Sequence, residues 1–340
     1  MRSMRKFVFA LFLMLAVTFI MARTAEVSSI IDTLKEADWR FIALAIMIMG
    51  AWLLNTALCY WAIYRAMDME EKLGHLALIA AGAYFVNVVA PTAGVGGIAV
   101  FAAEAKRKGI SRARVMVATA VVVLLDYIGF MIMLALGLVV LFRRSSISTT
   151  ELVATAIMVT FITVLGSLLY KGMQSAEALG NTLAAMARRV NRLFWPFLHR
   201  EYIAEYRAYE FAHDASGGLH RLRYQPKGLL LPAIFAFTGK LLLVLIFMVT
   251  FLAFKVPFST GTIVGGWSIS YLFTIVSPTP GGMGVVEGLL PLSLATLNVP
   301  LGAATVITLM YRGITFWLPL LVGMLALRWL VRDEKAQAFA

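Results

Sequence analysis

Two short runs hold the residue types that could build a site. The first reads Ala90-Pro91-Thr92-Ala93-Gly94-Val95-Gly96-Gly97. The second reads Ser277-Pro278-Thr279-Pro280-Gly281-Gly282-Met283-Gly284. Both contain Pro-Thr-x-Gly followed by further glycines, and each interrupts an apolar stretch. Proline lacks a backbone donor and glycine admits positive φ, so each run should break a helix. Non-helical backbone at membrane depth must be buried in protein or line a wet cavity. The residues after each break, Gly96, Gly97 and Ile98 and then Gly284, Val285 and Val286, begin a new helix. Its free N–H groups and positive dipole end suit an anion such as a lipid phosphate. A single break reads most simply as a kink in a packed helix. Two similar breaks point to a site.

Ionisable side chains inside apolar runs come next. Asp126, Lys240, Glu287 and Arg312 occupy such positions, with Glu104 nearer an interface. Each costs about 2.5–3.5 kcal/mol at a helix centre, so each needs a partner or a cavity. Arg312 suits bidentate contact with a phosphate. It equally suits a structural pair with Asp126 or Glu287, and the sequence leaves both open. Lys240 reads as a side chain that snorkels toward the cytoplasmic end of its helix. The expected substrate-binding set is Asn87, Pro91, Thr92, Gly94, Gly96, Gly97, Asp126, Pro278, Pro280, Gly281, Gly282, Gly284, Glu287, Tyr311 and Arg312.

Soluble-enzyme motifs are absent. The chain has no GxxxxGK[ST] loop, no HExxH and no DxD. Cys59 is the lone cysteine, and His75, His199, His213 and His220 all lie outside the apolar runs. No catalytic residue, metal or cofactor is expected.

The elements that must position these residues are helices in a bilayer. The 340 residues are 61% hydrophobic and 14% charged, against about 25% charged in soluble domains. The predicted fold class is an all-α, polytopic integral membrane protein forming a single membrane domain. Apolar runs fall at 7–22, 41–64, 76–103, 115–142, 152–170, 229–254, 263–297 and 302–327. A helix of about 20 apolar residues crosses the hydrocarbon core. Arg2, Arg5 and Lys6 before the first run resemble a signal peptide, but no A-x-A site follows, so a retained helix is expected.

Lys and Arg mark cytoplasmic loops. They gather after the runs ending at 64, 103, 170 and 327. If 76–103 crossed fully, the basic group at 106–114 would fall outside. The conflict vanishes if 76–103 enters from the inside and returns, turning at its Pro/Gly break. By the same logic 263–297 enters from the outside and returns. Six full crossings plus two re-entrant hairpins result, with both termini cytoplasmic. Arg143 and Arg144 fall outside, a mild cost. The two halves, 1–170 and 228–340, then form an inverted repeat whose broken helices meet near the midplane. The polar stretch 171–227 joins them. Its arginines alternate with Trp195, Tyr202, Tyr206 and Tyr209, as in an interfacial helix on the inner leaflet. The net charge of +12 fits anionic headgroups rather than nucleic acid.

The run Ser277 to Glu287, taken with Tyr311-Arg312-Gly313-Ile314-Thr315-Phe316-Trp317-Leu318-Pro319, resembles the lysylphosphatidylglycerol synthase membrane-region family, over roughly the whole chain. That resemblance implies movement of lipids between leaflets of a prokaryotic plasma membrane. It implies no aminoacyl transfer, because the soluble transferase domain of larger members is missing. Relatives often carry an acidic residue and an arginine after the first glycine cluster, where this chain has Ile98 and Phe101.

The expected function is a flippase-like transporter for a phospholipid or other phosphate-bearing lipid, such as a polyprenyl type. The alternatives are a membrane enzyme acting on a polyprenyl-phosphate-linked substrate, with Glu104 or Asp126 as base, and a scaffold in lipid biosynthesis. Expected partners are anionic membrane lipids, with a homo-oligomer or a lipid-biosynthesis partner as further options.

Overall fold

The computed structural model describes residues 37–89, 95–143, 149–198 and 204–338. The apolar run at 7–22 lies outside them. All regular structure among the described residues is helical.

Helix α1 (Trp39–Ala66) is followed by α2 (Leu73–Val89) and α3 (Val95–Arg107). Next come α4 (Arg112–Arg143), α5 (Thr149–Gln174), α6 (Ala176–Leu198) and α7 (Glu205–Tyr224). A 3₁₀ turn, Pro226–Leu229, leads into α8 (Leu230–Ala253) and then α9 (Thr260–Val276). The turn Pro280–Gly282 separates α9 from α10 (Val285–Thr296). Helix α11 (Leu301–Arg312) runs through a π-helical segment, Gly313–Trp317, into α12 (Leu318–Ala338).

Among the described residues, five helical stretches are long and apolar enough to cross a bilayer: Trp39–Ala66, Arg112–Arg143, Thr149–Gln174, Pro226–Ala253 and Leu301–Arg332. The runs containing Pro/Gly breaks behave differently. Helices α2, α3, α9 and α10 have 17, 13, 17 and 12 residues. At 1.5 Å per residue none exceeds about 26 Å, short of the roughly 30 Å hydrocarbon core. Helix α2 packs on α3, and α9 on α10, giving two short helical pairs.

The pairs are seated reciprocally. Helix α2 of the first pair packs on α12, which follows the second pair. Helix α9 of the second pair packs on α4, which follows the first. Each seat depends on a glycine. A Cβ at Gly323 of α12 would stand 2.3 Å from the Ala81 carbonyl oxygen of α2. A Cβ at Gly137 of α4 would stand 2.5 Å from Ser268 Oγ of α9. Close backbone approach through small residues is how helices associate in lipid, where water supplies no driving force. With Gly137 in place, Ser268 Oγ donates to the Met133 carbonyl at 3.1 Å.

Helices α1 and α8 pack along each other between these seats. Asn55 Nδ2 of α1 donates to the Phe235 carbonyl of α8 at 2.8 Å, and the Asp38 N–H to the Ala253 carbonyl at 2.9 Å. The polar stretch, expected as one interfacial helix, contains two helices packed together. Helix α7 buries Ala208, Ala212, Ala215, Leu219 and Leu222 and packs on α4 and α5. Tyr206 is exposed, and Tyr209 lies over Gly180 with its hydroxyl donating to Asn181 Oδ1 at 2.7 Å. Tyr202 lies outside the described residues.

Candidate functional site

The second break is a tight turn stitched by its own side chains. Ser277 Oγ lies 2.7 Å from Thr279 Oγ1 and accepts the Thr279 N–H at 3.1 Å. Gly281, Gly282 and Gly284 have φ of 60°, 72° and 81°, the left-handed region that only glycine enters cheaply. A Cβ on Gly281 would also stand 2.6 Å from the Phe316 ring. Backbone and ring together therefore require glycine there.

Arg312 closes this turn from α11. Its Nε donates to Glu287 Oε1 at 2.7 Å, and its Nη2 to the Gly281 carbonyl at 2.8 Å. The guanidinium lies 4.2 Å from the Phe316 ring centroid, a cation–π distance. Its side chain is 5% exposed and that of Glu287 is 24%. Of the two partners the sequence allowed, Glu287 is therefore the one Arg312 takes. Glu287 Oε2 also accepts the Gly284 N–H at 2.8 Å, which places a carboxylate on the positive end of α10.

The geometry corrects one expectation. The glycine N–H groups after the breaks are not all free for a ligand. Glu287 occupies that of Gly284, and Asn87 Oδ1 accepts that of Gly97 at 2.6 Å. The physical reason is that an orphan N–H at membrane depth is costly, so the chain caps it internally. Asn87 thereby ties the end of α2 to the start of α3 across the first break. A Cβ on Gly97 would stand 2.4 Å from Asn87 Nδ2, so the cap requires glycine. Gly96 is buried beside it. Pro91, Thr92 and Gly94 lie outside the described residues.

Helix α2 contacts the turn Pro280–Gly282 of the second break. Tyr84 of α2 also reaches across, its hydroxyl donating to the Thr315 carbonyl at 3.4 Å. Thr315 lies in the π-helical segment, and Pro319, four residues on, has no N–H to offer its carbonyl. The π-helical segment follows Arg312 directly, and such single turns re-aim side chains at functional sites. Tyr84 was not legible as a site residue, because nothing in an apolar run distinguishes a tyrosine that crosses to another helix.

Asp126 belongs to a second cluster. Its Oδ1 lies 2.6 Å from Lys240 Nζ, and its Oδ2 accepts from the Tyr271 hydroxyl at 3.3 Å. Lys240 Nζ also donates to the Tyr271 hydroxyl and lies 4.2 Å from that ring's centroid. Lys240 does not snorkel. Its side chain is 1% exposed, and it stands ten residues into α8, about 15 Å from the helix start and beyond the reach of its stem. The carboxylate on α4 holds it inside. Tyr271 stacks on Trp267, whose Nε1 donates to the Tyr311 hydroxyl at 3.0 Å, next to Arg312. Glu104 sits apart, pairing with His75 and Arg107 at 2.9 Å each.

A groove of 660 Å³, mostly apolar, runs between α1, α2 and α12. Trp52, Tyr60, Tyr84, Asn87 and Trp329 are among its walls, so it reaches the last turn of α2.

A family model described as Lysylphosphatidylglycerol synthase TM region matches residues 7–323. The chain belongs to this family. The match takes in both helical breaks, the Arg312–Glu287 pair and the Asp126–Lys240 pair, and it covers nearly the whole chain. No curated protein matches the chain.

Proposed function

We propose that this chain is a flippase-like transporter that moves a phospholipid or other phosphate-bearing lipid between leaflets, with the headgroup held at the meeting point of the two broken helical pairs. Membership of a lipid-related membrane family supports a lipid substrate. One observation carries the site: a buried arginine on α11 reaches into the break between α9 and α10 and ties it shut through Glu287 and the Gly281 carbonyl. The guanidinium donates through Nε and Nη2 to oxygens of two different groups, and a phosphate carries two oxygens that suit such a pair of donors. In this reading the headgroup displaces Glu287 from Arg312. Glu287 keeps its bond to Gly284, and the tails stay against the apolar groove or the bilayer.

The two short helical pairs are re-entrant hairpins entering from opposite faces. The reciprocal seating of α2 on α12 and α9 on α4 supports an inverted repeat. Both termini are then cytoplasmic in a plasma membrane, with α6 and α7 on the inner face, and the chain is a transporter rather than an enzyme.

The test is leaflet exchange. Purified chain in vesicles is assayed with fluorescent anionic phospholipids and with polyprenyl phosphates, using a quencher confined to the outer side. Acceleration for one class and its loss in Arg312→Ala are expected. No acceleration for any lipid sinks the reading. A covalent product from labelled sugar donors and polyprenyl phosphate would favour an enzyme instead.

A further inference from the structure

A transporter that moves a charged headgroup needs a driving force, and the second cluster has the chemistry for one. We propose that Asp126, Lys240 and Tyr271 form a proton-binding site that couples proton movement to the opening of the Arg312–Glu287 cradle. This rests on the transport reading above and names its energy source.

Three features carry it. The first is asymmetry. The Asp126 side chain is 33% exposed, whereas that of Lys240 is 1% exposed. A proton can therefore reach the carboxylate while the ammonium stays sealed. Ionisable groups within membrane helices are costly and mark substrate or ion pathways and proton relays.

The second feature is the closed hydrogen-bonded triangle. Lys240 Nζ donates to the Tyr271 hydroxyl, the hydroxyl donates to Asp126 Oδ2, and Lys240 Nζ meets Asp126 Oδ1 at 2.6 Å. Each vertex lies on a different helix, α4, α8 or α9. The titratable groups that also face the cluster are Cys59 and Tyr60 from α1, Tyr127 from α4 and Tyr311 from α11. None is a second carboxylate or cation. The charge at this point is set by one carboxylate and one ammonium.

The third feature is the connection to the cradle. Tyr271 lies on α9, the helix that ends in the second break. One turn before it, Trp267 stacks on Tyr271 and donates to Tyr311, beside Arg312. The cluster and the cradle therefore share a hairpin and an aromatic link.

The step is simple. A proton from the accessible side binds Asp126, forming a neutral carboxylic acid, and the ion pair becomes a lone ammonium. The attraction holding α4, α8 and α9 together is lost, and α9 can shift with its hairpin. Release of the proton to the other side restores the pair. No bond other than O–H is made or broken, and no redox partner is needed.

The test uses the full chain. Infrared difference spectra of the purified chain in lipid, across an acid-to-alkaline pH series, should show a protonated-carboxylic-acid band that titrates. The band should vanish in Asp126→Asn combined with Lys240→Met, a pair that removes both charges and strands neither. In vesicles of phosphatidylethanolamine and phosphatidylglycerol, an imposed pH gradient should accelerate transfer of fluorescent phosphatidylglycerol severalfold by wild type. The double variant should transfer at the same rate with and without the gradient. Tyr271→Phe, which keeps the ring and removes the bridge, should shift the midpoint of the infrared titration. A band that persists in the double variant overturns the proposal, as does wild-type transfer indifferent to the gradient. If wild type transfers no lipid but the band titrates and vanishes as described, the proton site stands and the transport reading fails.

Discussion

Replacing Arg312 by methionine separates a structural tie from a functional contact. The substitution leaves Glu287 Oε1 and the Gly281 carbonyl without the guanidinium, while Gly284 still donates to Oε2. Removing one partner of a buried pair costs about 3–5 kcal/mol. Glu287 is 24% exposed and keeps a backbone donor, which places the cost near the bottom of that range, about 3 kcal/mol. Adding Glu287→Gln removes the stranded charge and should recover about 2 kcal/mol, since neutral replacements of buried pairs are often tolerated. Unfolding of the detergent-solubilised chain measures both. If the pair were only a tie, lipid transfer would recover along with stability. If Arg312 holds the headgroup, the double variant stays slow. Losing charge-assisted hydrogen bonds worth about 2 kcal/mol corresponds to roughly 30-fold in rate. A double variant that is both stable and as fast as wild type would refute the reasoning.

Other outcomes follow from close contacts. Gly281→Ala combines a φ of 60° with a Cβ 2.6 Å from Phe316, and should cost about 2–4 kcal/mol in unfolding measurements, partly recovered by Phe316→Leu. Gly323→Ala should be worse than Gly82→Ala, because its Cβ meets the Ala81 carbonyl at 2.3 Å whereas that of Gly82 has Leu327 at 3.6 Å; yield of folded chain by size exclusion shows the difference. Lys240→Met alone strands Asp126 and should lower stability by about 3 kcal/mol, read by thermal unfolding. Glu205→Gln breaks the exposed pair with Arg188, whose side chains are 53% and 42% exposed, and should change stability by less than about 1 kcal/mol.

Much of the fold was legible because lipid imposes few solutions. The apolar runs at 41–64, 115–142, 152–170 and 229–254 correspond to α1, α4, α5 and α8, since a long apolar run without a cluster of Pro and Gly has nowhere to go but a helix. The breaks in 76–103 and 263–297 were legible for the same reason inverted. The pairings were not. Asp126 could reach Arg312 as readily as Lys240 on the linear sequence, and only the packing of α4 beside α8 chooses. Lys240 misled because its distance from the last cytoplasmic charge is short in sequence. Depth along α8 and the presence of a carboxylate on α4 decide its place. The internal capping by Asn87 and Glu287 left no sequence signal beyond their spacing. Asn87 precedes Gly97 by ten residues across a break, a separation no helical periodicity connects.

The seat between Gly323 and Ala81 also constrains how the chain is made. Helix α2 emerges from the ribosome well before its partner α12. A helix too short to span, with its break exposed, must wait in the membrane through synthesis of nearly everything between. The first short pair has α1 and α4 for company in that interval, whereas α9 finds α4 already in place. The two halves therefore mature unequally: the second docks on arrival, and the first is completed only when the end of the chain inserts. Truncations before α12 should leave the first pair unseated and open to quality-control proteolysis, although every residue of that pair is present.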